Sequence, residues 1–211
     1  MTESPQPGPA VATRSTDGLS DRVAKVITEV GSPAVVVVLL PIAVAWAATG
    51  HRPVATIGWG LVVALFSSVL PMIFVVRGAR AGRWDGHHVR NREGRLLPLS
   101  LGLLSTCVGL AVLLGFHAPR DLVALDLAML ATLFVCIAVT TRWKISLHAA
   151  VAGGAEATLV LLYGPLVLVG IPLVGLIAWA RVRLTDHTLA QVVAGALVGP
   201  AVGGVVFLLV R

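Results

Sequence analysis

The stretch Arg181-Val-Arg-Leu-Thr-Asp-His-Thr-Leu-Ala-Gln191 runs directly into residues 192–210, which contain no charged side chain. Two arginines, an aspartate and a histidine therefore stand at the mouth of an apolar segment, where charge is costly unless it has a partner or a task. A matching stretch, Arg142-Trp-Lys-Ile-Ser-Leu-His148, stands at the mouth of another apolar segment. The two mouths are expected to face each other and form one anion site.

The composition around them is that of a membrane protein. Of the 211 residues 57% are hydrophobic and only 12% charged, against about a quarter charged in soluble domains; the mean hydropathy is +0.93. This excludes an ordinary soluble enzyme and leaves too little polar chain for a second domain. A membrane-spanning helix needs about 20 mostly apolar residues. On that template seven apolar segments appear, at 32–49, 54–76, 98–116, 122–141, 147–163, 165–180 and 188–210. The fifth and sixth are short and are divided by the turn signal Gly164-Pro165. The expected fold is all-α, a polytopic transmembrane helix bundle of six or seven spans with its active site at one membrane face. Residues 1–22, rich in Pro, Ser and Thr, read as a disordered tail ahead of a membrane domain over 23–211, with an amphipathic lead-in over 19–30. Cys107 and Cys136 fall inside apolar segments and read as packing residues.

Crossing parity relates the polar segments. Two spans separate the arginine-rich insert at 77–97 from the mouth at 142–148, and two more separate that mouth from 181–187. An even number of crossings returns the chain to the same side, so all three segments and the amino-terminal tail share one face. Thirteen of the sixteen lysines and arginines then lie there, leaving Arg52, Arg120 and Arg211 opposite. This excess marks the face as cytoplasmic in a multi-pass protein of the plasma membrane. The net charge of +6 sits in short loops between spans, which suits lipid headgroups or phosphate and not nucleic acid.

Residue spacing supplies the chemistry. A helix capped by Thr185 or Asp186 has His187 in its first turn and Gln191 one turn on, within reach of one imidazole nitrogen. A histidine held on one nitrogen is a nucleophile or base through the other, and Arg181 is suited to clamp a phosphoryl group through two donors. Lys144, Ser146 and His148 alternate, so an extended segment points them the same way. They offer a charge, a hydroxyl and an acid for a leaving oxygen. A basic interfacial anchor, with Lys144 snorkelling and Ser146 and Asp186 capping helices, uses the same residues. Glu156, eight residues past His148, lies two turns below it and either tunes that imidazole or pairs with a polar neighbour. Asp126 lies near a span end and needs no special role. No carboxylate cluster, Cys–His set or His-x3-His pair marks a metal site, and neither metal nor cofactor is expected.

Ser146-Leu-His148 and, 33 residues after that histidine, Arg181-x5-His187 resemble the second and third motifs of the type 2 phosphatidic acid phosphatase family, membrane relatives of the vanadium haloperoxidases. Those motifs read Pro-Ser-Gly-His and Ser-Arg-x5-His-x3-Asp. Here Ile145 and Leu147 replace the first motif's proline and glycine, Ala180 replaces the serine, and Gln191 replaces the aspartate. Gly195 and Gly199 suit the family's tight final span. The family's Lys-x6-Arg-Pro motif is matched loosely in the insert, as His88-x6-Arg95 or Arg83-x6-Arg90. Arg92 and Arg95, nearest Pro98, are the favoured phosphate ligands, with His88 in the lysine's place. The resemblance covers residues 83–199. It implies a phosphohistidine on His187, His148 as the acid that frees the alcohol, and Arg181, Lys144, Ser146, Arg92, Arg95 and His88 around the phosphate, with Gln191 orienting His187.

Three functions compete on these residues. The first is a lipid phosphatase or diphosphatase acting on a phosphatidate, isoprenoid or polyprenyl phosphate. The second is a weakened or inactive relative that binds lipid phosphate headgroups, favoured by Gln191, whose neutral amide cannot stabilise an imidazolium by charge. The third, a small transporter or scaffold, has only Glu156 in its favour. Topology is directly checkable: with Cys107 and Cys136 replaced, Arg90→Cys is expected to react with a membrane-impermeant maleimide only after the cells are opened. Labelling of intact cells overturns the cytoplasmic assignment.

Overall fold

The computed structural model of the protein describes residues 18–82 and 92–211; the expected tail over 1–17 and the insert over 83–91, including His88, lie outside the described residues. Among the described residues every regular element is helical. The chain opens with α1 (Leu19–Val30) and α2 (Pro33–Ala48), followed by α3 (Pro53–Ala64), which continues through a π-helical turn at Leu65–Val69 into α4 (Leu70–Arg80). Then come α5 (Arg92–Gly115), α6 (Arg120–Thr140) and α7 (Leu147–Tyr163). A 3-10 segment, Pro165–Gly170, leads into α8 (Ile171–Arg183), and α9 (Leu189–Val198) continues through a π-helical segment, Gly199–Gly204, into α10 (Val205–Val210). Each π-helical segment involves a proline, Pro71 just after the first and Pro200 inside the second. A proline cannot donate to the carbonyl four residues back and its ring crowds that carbonyl, so the helix widens there instead of breaking.

All seven expected apolar segments form helices. Among the described residues five helical stretches are long and apolar enough to cross a membrane, and α1 with α2, bent by 46° at Gly31-Ser32, makes a sixth if counted as one span. The remaining helix, α7, has 17 residues and is about 25 Å long, short of the ~30 Å hydrocarbon core. It is also the most central, touching α2, α6, α8, α9 and the π-helical segment after α9. The chain is thus a helical membrane protein, with seven apolar helical stretches among the described residues, of which α7, and α2 when taken without α1, are shorter than a full span.

The amino-terminal boundary shifts. Leu19–Arg22, expected as part of the tail, belong to α1, whose amphipathic sequence lays one face on α8. Asp21 pairs with Arg183 at 2.9 Å, and Ser20 Oγ accepts from the same guanidinium at 3.1 Å. Ser32 then caps α2, with Pro33 preset for its first turn.

Polar ties gather at both ends of the bundle. At one end Lys144 reaches across to the backbone oxygen of Asp186. At the other, Arg120 donates to the carbonyl of Val210 at 2.6 Å and Arg211 to that of Leu161 at 2.5 Å. Between them the core is aliphatic, with Val44, Val63, Leu113, Leu122, Leu125 and Phe207 buried together. A second, smaller cluster holds Cys136, Ile145 and Ala150.

The closest packing joins α7 to α9. Gly195 lies over the carbonyl of Ser146 and Gly199 over that of Ala150, while Gly153 faces the carbonyl of Ala196. Glycines four apart, Gly195 on α9 and Gly199 at the start of the π-helical segment that continues it, thus let two backbones approach where any side chain would hold them off. Gly199→Ala places a methyl group onto the Ala150 carbonyl and is expected to cost about 3 kcal/mol, read as a lowered unfolding midpoint in detergent. Gly175→Ala, whose methyl meets nothing within 4 Å, is the control and is expected to leave the midpoint unchanged. Equal midpoints for the two variants overturn the close-packing account.

Candidate functional site

The two mouths meet. The backbone N–H of Ser146 donates to the carbonyl of Gln191 at 3.2 Å, and Lys144 Nζ donates to the carbonyl of Asp186 at 2.5 Å. His148, Asp186 and His187 are all buried at this junction, with 7%, 8% and 6% of their surface exposed. The α7–α9 glycine contact lies directly below and fixes the spacing.

Helix α9 starts later than its sequence suggests. Thr188, not Thr185 or Asp186, is the cap: its side chain accepts from the Gln191 N–H, and Gln191 returns a bond to the Thr188 N–H. This reciprocal box competes better than a single cap because it satisfies two orphan donors at once. His187 therefore precedes the helix instead of occupying its first turn. It still meets Gln191, since Gln191 Oε1 lies 3.2 Å from His187 Nδ1 and 3.1 Å from the Thr188 nitrogen. The Thr188 N–H can only donate, so the amide atom it meets is the oxygen, and the same oxygen must accept from Nδ1–H. The imidazole is held as the Nδ1–H tautomer, so that Nε2 is the ring nitrogen carrying the lone pair.

The loop between α8 and α9 is built around Arg181. Its side chain is 2% exposed and lies in the last turn of α8, where the helix dipole favours a cation. Arg181 Nη1 pairs with Asp186 Oδ2 at 3.0 Å, and the Arg181 carbonyl accepts from the His187 N–H at 3.2 Å. Closing this loop puts Thr185 at φ +57°, a left-handed conformation that a β-branched residue adopts only under constraint. Asp186 is thus a counter-charge to Arg181, a role that its expected use as a cap did not include. A carboxylate five residues beyond an arginine in a short interhelical loop was the available signal.

Ser146 is the cap of α7, fully buried, with Oγ accepting from the Ala149 N–H at 3.4 Å. Arg92 and Arg95 stand in the first turn of α5, and their side chains are outside the described part of the structure. One turn further on, Pro98 and Leu99 border the same cavity as Leu147, beside His148.

Both intramembrane carboxyls depart from expectation. Glu156 packs its carboxyl against Gly170, just ahead of α8, and its Oε1 has no hydrogen-bond partner among the described residues. Asp126 is fully buried rather than peripheral; Ser67 of the π-helical turn donates to its Oδ1 at 3.3 Å, and its Oδ2 has no partner among the described residues.

No protein-family model, curated protein or solved structure matches this chain.

The Arg181–Asp186 pair has a measurable consequence. Asp186→Asn removes a buried counter-charge, which costs about 3 kcal/mol and lowers the unfolding temperature. If a tetrahedral oxyanion binds Arg181, orthovanadate is expected to raise that temperature more in the variant than in the wild type. An equal shift, or none, removes Arg181 from the anion site.

Proposed function

We propose that this protein is a membrane lipid phosphatase or diphosphatase, similar in its site to the type 2 phosphatidic acid phosphatases, acting on phosphatidate, isoprenoid or polyprenyl phosphates. The observation that carries the reading is the junction at Gln191. Its carbonyl holds the Ser146 end of α7, and its side chain holds Nδ1 of His187. The junction that orients this imidazole also holds a second buried histidine, a lysine and an arginine, a set suited to transfer of a phosphoryl group from an alcohol.

In the proposed reaction the phosphate of a bilayer lipid enters the polar end while its tail stays among the helices. Arg181, Lys144 and the arginines at the start of α5 neutralise its oxygens, and the stabilised charge spread over them carries most of the acceleration. His187 Nε2 attacks phosphorus as the P–O bond to the alcohol breaks. Protonated His148 gives its proton to the departing oxygen. Neutral His148 then takes a proton from a water that attacks the phosphohistidine, releasing phosphate and restoring both imidazoles. The active face is the cytoplasmic one, and the membrane is the plasma membrane.

A second reading has its own support. Asp186 already balances Arg181, and Gln191 supplies no negative charge to stabilise a His187 imidazolium. Both features suit a site that binds lipid phosphate headgroups without hydrolysing them.

Phosphate release separates the two readings. Purified protein is offered phosphatidate, farnesyl phosphate, farnesyl diphosphate and undecaprenyl diphosphate, with His187→Ala as control. The enzyme reading expects release from at least one lipid and a loss of about a thousandfold or more in the control, as for removal of a covalent nucleophile. No release above the control on any lipid leaves the headgroup-binding reading.

A further inference from the structure

Next to the mouth that ends at His148 lies a cavity of about 240 Å³ walled by α2, α4, α5, α6 and α7, with the π-helical turn before α4 and Gly203 completing it. Its wall on α7 starts at Leu147, next to His148, and passes Val151 and Ala155 to Thr158. Eleven helical steps cover about 16 Å, roughly half of the ~30 Å hydrocarbon core. The cavity therefore runs from the polar end to the depth of a single leaflet.

Its lining is apolar apart from five hydroxyls, and each of these has already committed its proton. Ser68, Thr106, Thr132 and Thr158 donate to backbone carbonyls, and Ser67 donates to Asp126. Such a wall offers water few partners and favours hydrocarbon. Size then limits the occupant. An enclosed apolar cavity of about 150 Å³ holds one benzene; the space here is less than twice as large and drawn out along α7, which suits one extended chain. A shallower hollow on the outer side of α2 and α4 shares Ala34, Ser68 and Met72 with this wall and ends at Arg77 and Arg80. The two arginines put cations at the polar end of the lipid-facing surface beside the cavity.

We propose that this cavity receives the hydrocarbon tail of the lipid whose phosphate occupies the site above it, and that the protein consequently selects single-chain lipid phosphates, alkyl or isoprenoid, over two-chain ones. The headgroup half of this inference rests on the lipid phosphate reading; the tail half rests on the cavity alone.

Gly102 supplies the test, because it lines the cavity and a methyl group there meets its nearest neighbours, Leu133 and Pro71, at an ordinary 3.9 Å. Binding is measured in detergent with hexadecylphosphonate, its dipalmitoylglycerol phosphonate counterpart and hexadecanol, none of which is hydrolysed. Wild-type protein and Gly102→Ala are expected to bind the single-chain phosphonate about tenfold or more tightly than the two-chain one. Filling the cavity with Gly102→Phe, or from another helix with Met72→Trp, is expected to weaken hexadecylphosphonate and hexadecanol by about tenfold or more, the scale of overpacking. Unchanged binding in both filled variants, or equal binding of one- and two-chain phosphonates, overturns the proposal. If hexadecanol binds as tightly as hexadecylphosphonate while the filled variants weaken both, the tail cavity stands and the phosphate reading fails.

Discussion

Gly195 and Gly199 let α9 lie against the carbonyls of Ser146 and Ala150, and this approach of backbone to backbone positions what gathers at the polar end. In a bilayer no hydrophobic force draws one helix to another, since lipid tails are as apolar as leucine; close van der Waals contact has to do it. Two glycines a turn apart provide that contact where α7 and α9 cross. With the helices held this near, Gln191 can give its carbonyl to Ser146 and its side-chain oxygen to Thr188 and His187. A larger residue at either glycine would part the two mouths and with them the two histidines.

The second constraint is electrostatic. Burying the Arg181 side chain at 2% exposure is tolerable because Asp186 sits 3.0 Å away and the carbonyl end of α8 adds its dipole. The same pairing turns the 184–187 loop back on itself and strains Thr185. Any anion brought to Arg181 would therefore have to compete with Asp186, so the junction is less cationic than a count of its basic residues implies. Lys144, which spends one donor on the Asp186 backbone, couples the loop to the other mouth.

The apolar segments were legible because membrane spans are written in long unbroken runs, and each of the seven became a helix. Crossing parity placed the two mouths together, and Lys144 and Ser146 do reach Asp186 and Gln191. Finer features depend on competition that a linear reading weighs poorly. Thr185, Asp186 and Thr188 can each cap a helix alone; the choice fell to Thr188 because only its spacing to Gln191 forms a reciprocal box. Asp186 then had its carboxylate left for Arg181. Asp126 looked peripheral by position, yet the π-helical turn brings Ser67 to it and the bundle encloses it. The apolar cavity was not legible, since its wall is drawn from five α-helices and two π-helical segments that meet only in three dimensions.

The shortness of α7 also bears on the order in which the chain is assembled. A 17-residue helix with a capping serine and a histidine at its leading end is a poor candidate for leaving the translocon alone, and α7 is synthesised well before the glycines that will cover it. Its exposed carbonyls at Ser146 and Ala150 have no snug partner until α9 follows. The nascent chain would thus pass through a stage in which the central helix waits, held by α2 and α6, for a later one. Half of the site is made early and completed late, so errors in inserting the last helices would leave a protein that is in the membrane and yet has no working pocket.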